Sequence, residues 1–158
     1  MTQDPGLASW LQLTLTPGLG SAAIRALLRQ FGLPHLVLAR KPSELAAHAA
    51  PSVLEALHSE TVRRAVDAAI AWVEQPGNAL ITLADTTYPR MLLEIPDPPP
   101  LLYAHGRVEL LQRSALAVVG SRNATAQGAA NAESFAKALS GSGLTIVSGL
   151  ALGIDAAA

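Results

Sequence analysis

Cysteine is absent from the 158-residue chain, which excludes disulfides, thiolate zinc sites, iron–sulfur clusters and a cysteine nucleophile. Aromatic residues are nearly as scarce, with two each of Phe, Trp and Tyr, so a core has to be built mainly of Leu, Val and Ala. The four histidines, His35, His48, His58 and His105, form no HxxxH or HExxH pair and read as ordinary surface or half-buried residues rather than metal ligands. No basic residue precedes Arg25, so the charged start of a signal peptide is missing. No apolar run approaches the ~18 residues of a membrane span. These absences predict a soluble, cytoplasmic protein that makes no membrane contact.

What is present is half apolar, enough for one ordinary domain or two small ones. Eleven Lys and Arg against twelve Asp and Glu exclude a uniformly basic binder, but the average hides a gradient. Residues 1–41 carry Arg25, Arg29, Arg40 and Lys41 against Asp4 alone, whereas the stretch that follows is strongly acidic. Residues 105–158 turn slightly basic again through Arg107, Arg113, Arg122 and Lys137. The two ends are therefore better placed than the middle to meet an anion.

The apolar period changes along the chain. In residues 1–76 it is helical: Asp4 and Pro5 suit the start of a first helix, and Ile24, Leu27, Leu28 and Phe31 mark a second that Gly32 stops. Ser59 is placed to cap a longer helix running to Pro76-Gly77. This predicts a small all-helical domain over 1–76. A connector over 77–113 follows, with short strands at Ala79–Leu83 and Leu101–Ala104 flanking the extended Pro96-Asp97-Pro98-Pro99-Pro100. From 114 the pattern is strand, helix, strand. Ala115–Val119 and Leu144–Val147 read as strands buried on both faces, and the helix between them starts at a Thr125 cap, with Ala132, Phe135, Ala136 and Leu139 on one stripe. Such a βαβ unit makes the fold class α/β. Two parallel strands are too few to stand alone, so the chain reads as the N-terminal part of a longer protein, truncated as its sheet domain begins.

In an open parallel sheet, ligands sit at the carboxyl ends of the strands, where loops feed helix N-termini. The first such loop, Gly120-Ser121-Arg122-Asn123-Ala124-Thr125, combines a glycine for close approach, two hydroxyls, an amide and a guanidinium that can grip phosphate. The second, Ser148-Gly149-Leu150-Ala151-Leu152-Gly153, follows the neighbouring strand and should open on the same crevice. Together they predict a phosphate cradle; the alternative is that the glycines only permit tight turns. No GxGxxG follows a strand and the pattern GxxxxGK[ST] is absent, which disfavours NAD or ATP and leaves no cofactor to expect. No nucleophile–base pair is legible, and Asp155 reads as compensation of a helix dipole. A further candidate is the Pro17-Gly18-Leu19-Gly20 hairpin. There Gly18, Gly20 and Ser21 offer backbone N–H groups, and Arg25 shares a helix face with Arg29; the feature is either a DNA-phosphate contact or a purely structural turn.

The segments Val118–Thr125 and Ile146–Asp155, in that order, resemble the paired signature of the DNA processing protein A family, also called DprA or Smf. Tyr88-Pro89 and Ile95–Tyr103 closing on Gly106 resemble the lead into its Rossmann-like domain, and the helical front with Pro17–Gly20 resembles its SAM-like or helix-hairpin-helix domain. The resemblance implies a non-enzymatic mediator of natural transformation, which binds and protects single-stranded DNA without sequence preference and helps load RecA recombinase. It further implies a homodimer in the full-length protein. Carried over by motif, Arg122 with Gly120 and Ser121 lies in a positive pocket for the DNA backbone, joined by Asn123, Thr125, Ser148, Gly149 and Gly153. Ile24 stands where the hairpin motif usually has Ala, and the family pattern continues past Gly153-Ile154-Asp155 with an Ala and a His, whereas this chain ends at Ala158, so the rest of the Rossmann-like domain is expected to be missing. Two other readings stay open: a Rossmann-like enzyme cleaving the N-glycosidic bond of nucleoside monophosphates, and a protein-interaction module working through the helical region.

Overall fold

The computed structural model describes residues 5–158, so the capping role assigned to Asp4 lies outside the described residues. The chain divides into two compact units, Met1–Val108 and Glu109–Ala158.

Among the described residues of the first unit, six α-helices precede a two-stranded sheet: α1 (Pro5–Thr14), α2 (Ser21–Phe31), α3 (Pro34–Leu38), α4 (Pro42–Leu45), α5 (Pro51–Ala56) and α6 (Glu60–Val73), then β1 (Asn78–Thr82) and β2 (Leu101–His105). Helix α2 forms where the apolar spacing predicts it. Ile24 and Leu27 are buried, Leu28 and Phe31 pack beside them, and Gly32 closes the helix with its N–H on the Leu28 carbonyl. Helix α6 begins at Ser59, whose Oγ accepts from the Val62 N–H at 3.2 Å. Such a cap contributes about 1 kcal/mol by satisfying a donor that the first turn leaves unpaired.

Two apolar clusters hold this unit. Leu13, Leu19, Ile24, Leu27, Val37 and Leu54 are at the heart of one; Trp10, Leu11, Val62, Val66, Ala69 and Leu101 form the other. Leu101 belongs to β2, so the strands read from sequence as part of a connector are built into the core of the helices. They pair antiparallel, Asn78 opposite His105 and Thr82 opposite Leu101, and pack against α1 and α6.

Between the strands, the proline-rich run can donate few backbone N–H groups, yet it exposes carbonyls that need partners. Arg25 of α2 supplies several at once. Its guanidinium pairs with Asp97 at 2.5 Å and donates to the Pro98 carbonyl at 2.9 Å and the Pro96 carbonyl at 3.4 Å. The Tyr88 hydroxyl donates to the Pro99 carbonyl at 2.8 Å. Burial pushes the Tyr88 phenol above its usual pKa, against a smaller opposing pull from Arg25.

In the second unit, β3 (Ala115–Ala117) and β4 (Thr145–Val147) pair in parallel, joined by α7 (Ala126–Gly141) and followed by α8 (Ile154–Ala157). The Thr125 Oγ1 caps α7 by accepting from the Gly128 N–H at 3.1 Å. The βαβ connection follows the order the sequence predicts, but its burial does not. Every residue of β3 is exposed, Val119 is 70% exposed, and Phe135 points outward at 66% while Ala132 and Ala136 alone of its stripe are buried. The reason is geometric: two three-residue strands and one helix are too small a layer to bury more than a pair of alanines between them. Among the described residues no helix is long and apolar enough to cross a membrane.

Candidate nucleic-acid interface

The two glycine loops of the second unit meet. Gly153 takes φ +83°, and a Cβ there would fall onto the Ser121 carbonyl oxygen and lie 2.7 Å from that of Arg122, so only a hydrogen fits where the backbones touch. Gly120 is tight as well, though against a side chain: its Cβ would sit 2.7 Å from Ile154. From the other direction, the Ile154 N–H donates to the Ser121 carbonyl at 3.1 Å. Gly120, Ser121 and Arg122 are thus brought against Gly153, as the sequence leads one to expect of neighbouring strand ends. Within the first loop, the Asn123 N–H turns back onto the Ser121 Oγ at 3.1 Å.

The residue that ties the loops was not assigned this role from sequence. Asp155 is buried, and its carboxylate accepts from the Gly120 N–H on Oδ1 at 3.2 Å and from the Gly149 N–H on Oδ2 at 3.1 Å. Its backbone carbonyl accepts from the Ser148 Oγ at 3.1 Å. Compensation of a helix dipole is therefore too small an account, since each carboxylate oxygen serves a different loop. The available signal was the setting: a carboxylate among Ile, Ala and Leu is costly to bury unless several donors meet it.

These bonds also decide which groups face outward. The amides of Gly120 and Gly149 are committed to Asp155, while Arg122 is exposed and its guanidinium takes no ion pair or hydrogen bond among the described residues. Leu150 adopts φ +54°, a left-handed conformation that costs a non-glycine residue about 1–2 kcal/mol, and stands 92% exposed at the crest of the second loop.

The hairpin residues lie in the first unit. Gly18 takes φ +82° and Gly20 precedes α2 in an extended conformation, with Ser21 as the first residue of the helix. Arg25 and Arg29 line one groove of about 450 Å³, as their spacing suggests, but Arg25 is turned onto Pro96–Pro98 and its side chain is only 14% exposed. Arg29 is exposed. Among the described residues no three His, Cys, Asp or Glu side chains gather into a group able to hold a metal.

The family model for DNA recombination-mediator protein A matches residues 79–158, which include both glycine loops. The chain belongs to this family. Protein Smf of Escherichia coli (strain K12) is 38% identical over 96 residues, a match covering 61% of this chain and 26% of that protein. DNA processing protein DprA of Streptococcus pneumoniae (strain ATCC BAA-255 / R6) is 47% identical over 77 residues, covering 49% and 27%. The X-ray structure of DNA processing protein A (DprA) from Streptococcus pneumoniae superposes with a TM-score of 0.60 at 26% identity, over 99% of this chain and 53% of that one. The matches thus span about a quarter of the length of these curated relatives. The mixed α/β architecture, helices first and small sheets after, agrees with this membership.

Proposed function

We propose that the chain is the DNA-binding front of a recombination mediator. It holds single-stranded DNA by its sugar-phosphate backbone at the paired loops, shields it, and, in the full-length homodimer, helps load RecA recombinase in the cytoplasm during natural transformation. In this reading residues 114–158 begin the DNA-binding domain, and Gly120, Ser121, Arg122, Asn123, Thr125, Ser148, Gly149 and Gly153 make up the paired loops that present Arg122 to the phosphate, with the Gly120 and Gly149 amides held by Asp155. Gly18, Gly20, Ser21 and Arg25 would add a secondary contact only where the hairpin's backbone is reached, because the Arg25 side chain is engaged elsewhere.

The observation that carries the proposal is the unpaired, exposed Arg122 guanidinium on a loop whose position is locked by its neighbour. A guanidinium grips phosphate in two-pronged fashion and reads no base, which suits binding without sequence preference. The chain has few aromatic side chains to stack bases, which favours backbone contact with a strong salt dependence. Asp155 argues against the hydrolase alternative: both its oxygens hold amides, so it is not a free acid or base at the loops.

The test is titration of the full-length protein with a fluorescent oligo-dT across a salt series, beside an assay for free base released from AMP. Arg122→Ala is expected to weaken DNA binding by about 10- to 100-fold, the range for a lost charged hydrogen bond, and to flatten the salt slope by about 0.7. Equal affinity for the two proteins, or base release by the wild type, overturns the assignment.

A further inference from the structure

Resting on that reading, we propose that Asp155 is the positioning residue of the interface: one buried carboxylate, holding the Gly120 and Gly149 amides together, sets the separation of the two turns and so aims Arg122 at the phosphate. The sign of its effect makes the role testable. A carboxylate beside an anion site repels the anion, so if Asp155 mattered only through its charge, neutralising it would tighten DNA binding. A positioning role demands the opposite.

The geometry favours positioning. Oδ1 and Oδ2 each accept from a different loop, at 3.2 and 3.1 Å, so neither turn can move without breaking a charge-assisted bond. The Ser148 Oγ on the Asp155 carbonyl and the Ile154 N–H on the Ser121 carbonyl knit the same junction. Leu150 directly follows Gly149, and a left-handed leucine persists only where its surroundings over-determine the backbone. The Gly149 bond to Asp155 is such a restraint. In Asp155→Asn the side chain keeps its shape but presents an NH2 to one of the two amide donors, so only one loop can be held.

The experiment measures oligo-dT affinity for the full-length wild type, Asp155→Asn, Arg122→Ala and the double variant, with thermal melts of each, and follows amide exchange at Gly120, Gly149 and Ser121 in the wild type. Asp155→Asn is expected to bind about tenfold more weakly, and the double variant no more weakly than Arg122→Ala, because both changes act through the same contact. In the wild type, Gly120 and Gly149 should exchange more slowly than Ser121, a readout that holds even if the variant fails to fold. Unchanged or tighter binding by a folded Asp155→Asn, additive losses in the double variant, or exchange at Gly120 and Gly149 as fast as at Ser121 overturns the inference alone. Absence of oligo-dT binding by the wild type overturns the functional reading and this inference with it.

Discussion

The two units hold themselves together by different means. In the first, leucines, valines and a tryptophan fill two apolar clusters, and the half-buried Arg25 is engaged by the proline run. In the second, the buried residues are Ala132, Ala136 and Asp155, and order comes from backbone meeting backbone at glycines and from a carboxylate between loops. The contrast shows where each invests its side chains. The first gives them to stability, and the second leaves most of them outward on turns whose path is set by close backbone contact and by the one buried carboxylate.

The largest effect that can break this comparison is a core truncation. Leu27→Ala, at a fully buried position of α2, should lower the stability of the first unit by about 2–5 kcal/mol in chemical denaturation. Phe135→Ala removes a larger side chain from the second unit but should change little, within about 0.5 kcal/mol, because that ring is exposed. Equal losses would show that Phe135 is covered in solution and that the second unit has an apolar core after all.

A smaller effect is expected at the loop junction. Gly153→Ala forces a Cβ onto the Ser121 carbonyl and into a left-handed backbone, at a cost of about 1–2 kcal/mol from conformation alone. It should separate the loops and weaken oligo-dT binding without touching the clusters of the first unit. A variant that binds DNA as the wild type does would mean that the close approach is dispensable.

The smallest effect sharpens the first unit. Burial raises the Tyr88 pKa in the folded state above its unfolded value near 10, so the folded protein keeps a proton that the unfolded chain releases. Stability from this group is complete below pH 10 and declines as the pH climbs toward the folded value. Tyr88→Phe should cost about 1 kcal/mol at neutral pH by orphaning the Pro99 carbonyl, and should flatten the alkaline decline in a pH series of melts. A decline of unchanged slope would assign it to other groups.

Much of the framework was legible from local signals. Ser59, Gly32 and Thr125 mark helix ends through bonds made within a few residues, and the alternation of strand, helix and strand reveals the parallel pair. What escaped is what depends on distance along the chain. Arg25 looked available because its partners lie more than seventy residues on, among prolines that no helical pattern connects to α2. Asp155 looked like a dipole residue because its donors sit on turns 35 and 6 residues earlier. The apolar runs of β3 and β4 suggested burial on both faces, but hydrophobicity states what a strand needs and not whether a neighbour is present to supply it.

The contact between Gly153 and the Ser121 carbonyl couples the two turns as a gear couples two wheels. Since backbone meets backbone there, no side-chain rotamer is available to absorb a change in either turn. A residue inserted into one would therefore need a matching alteration in the other, and their lengths are tied as a pair.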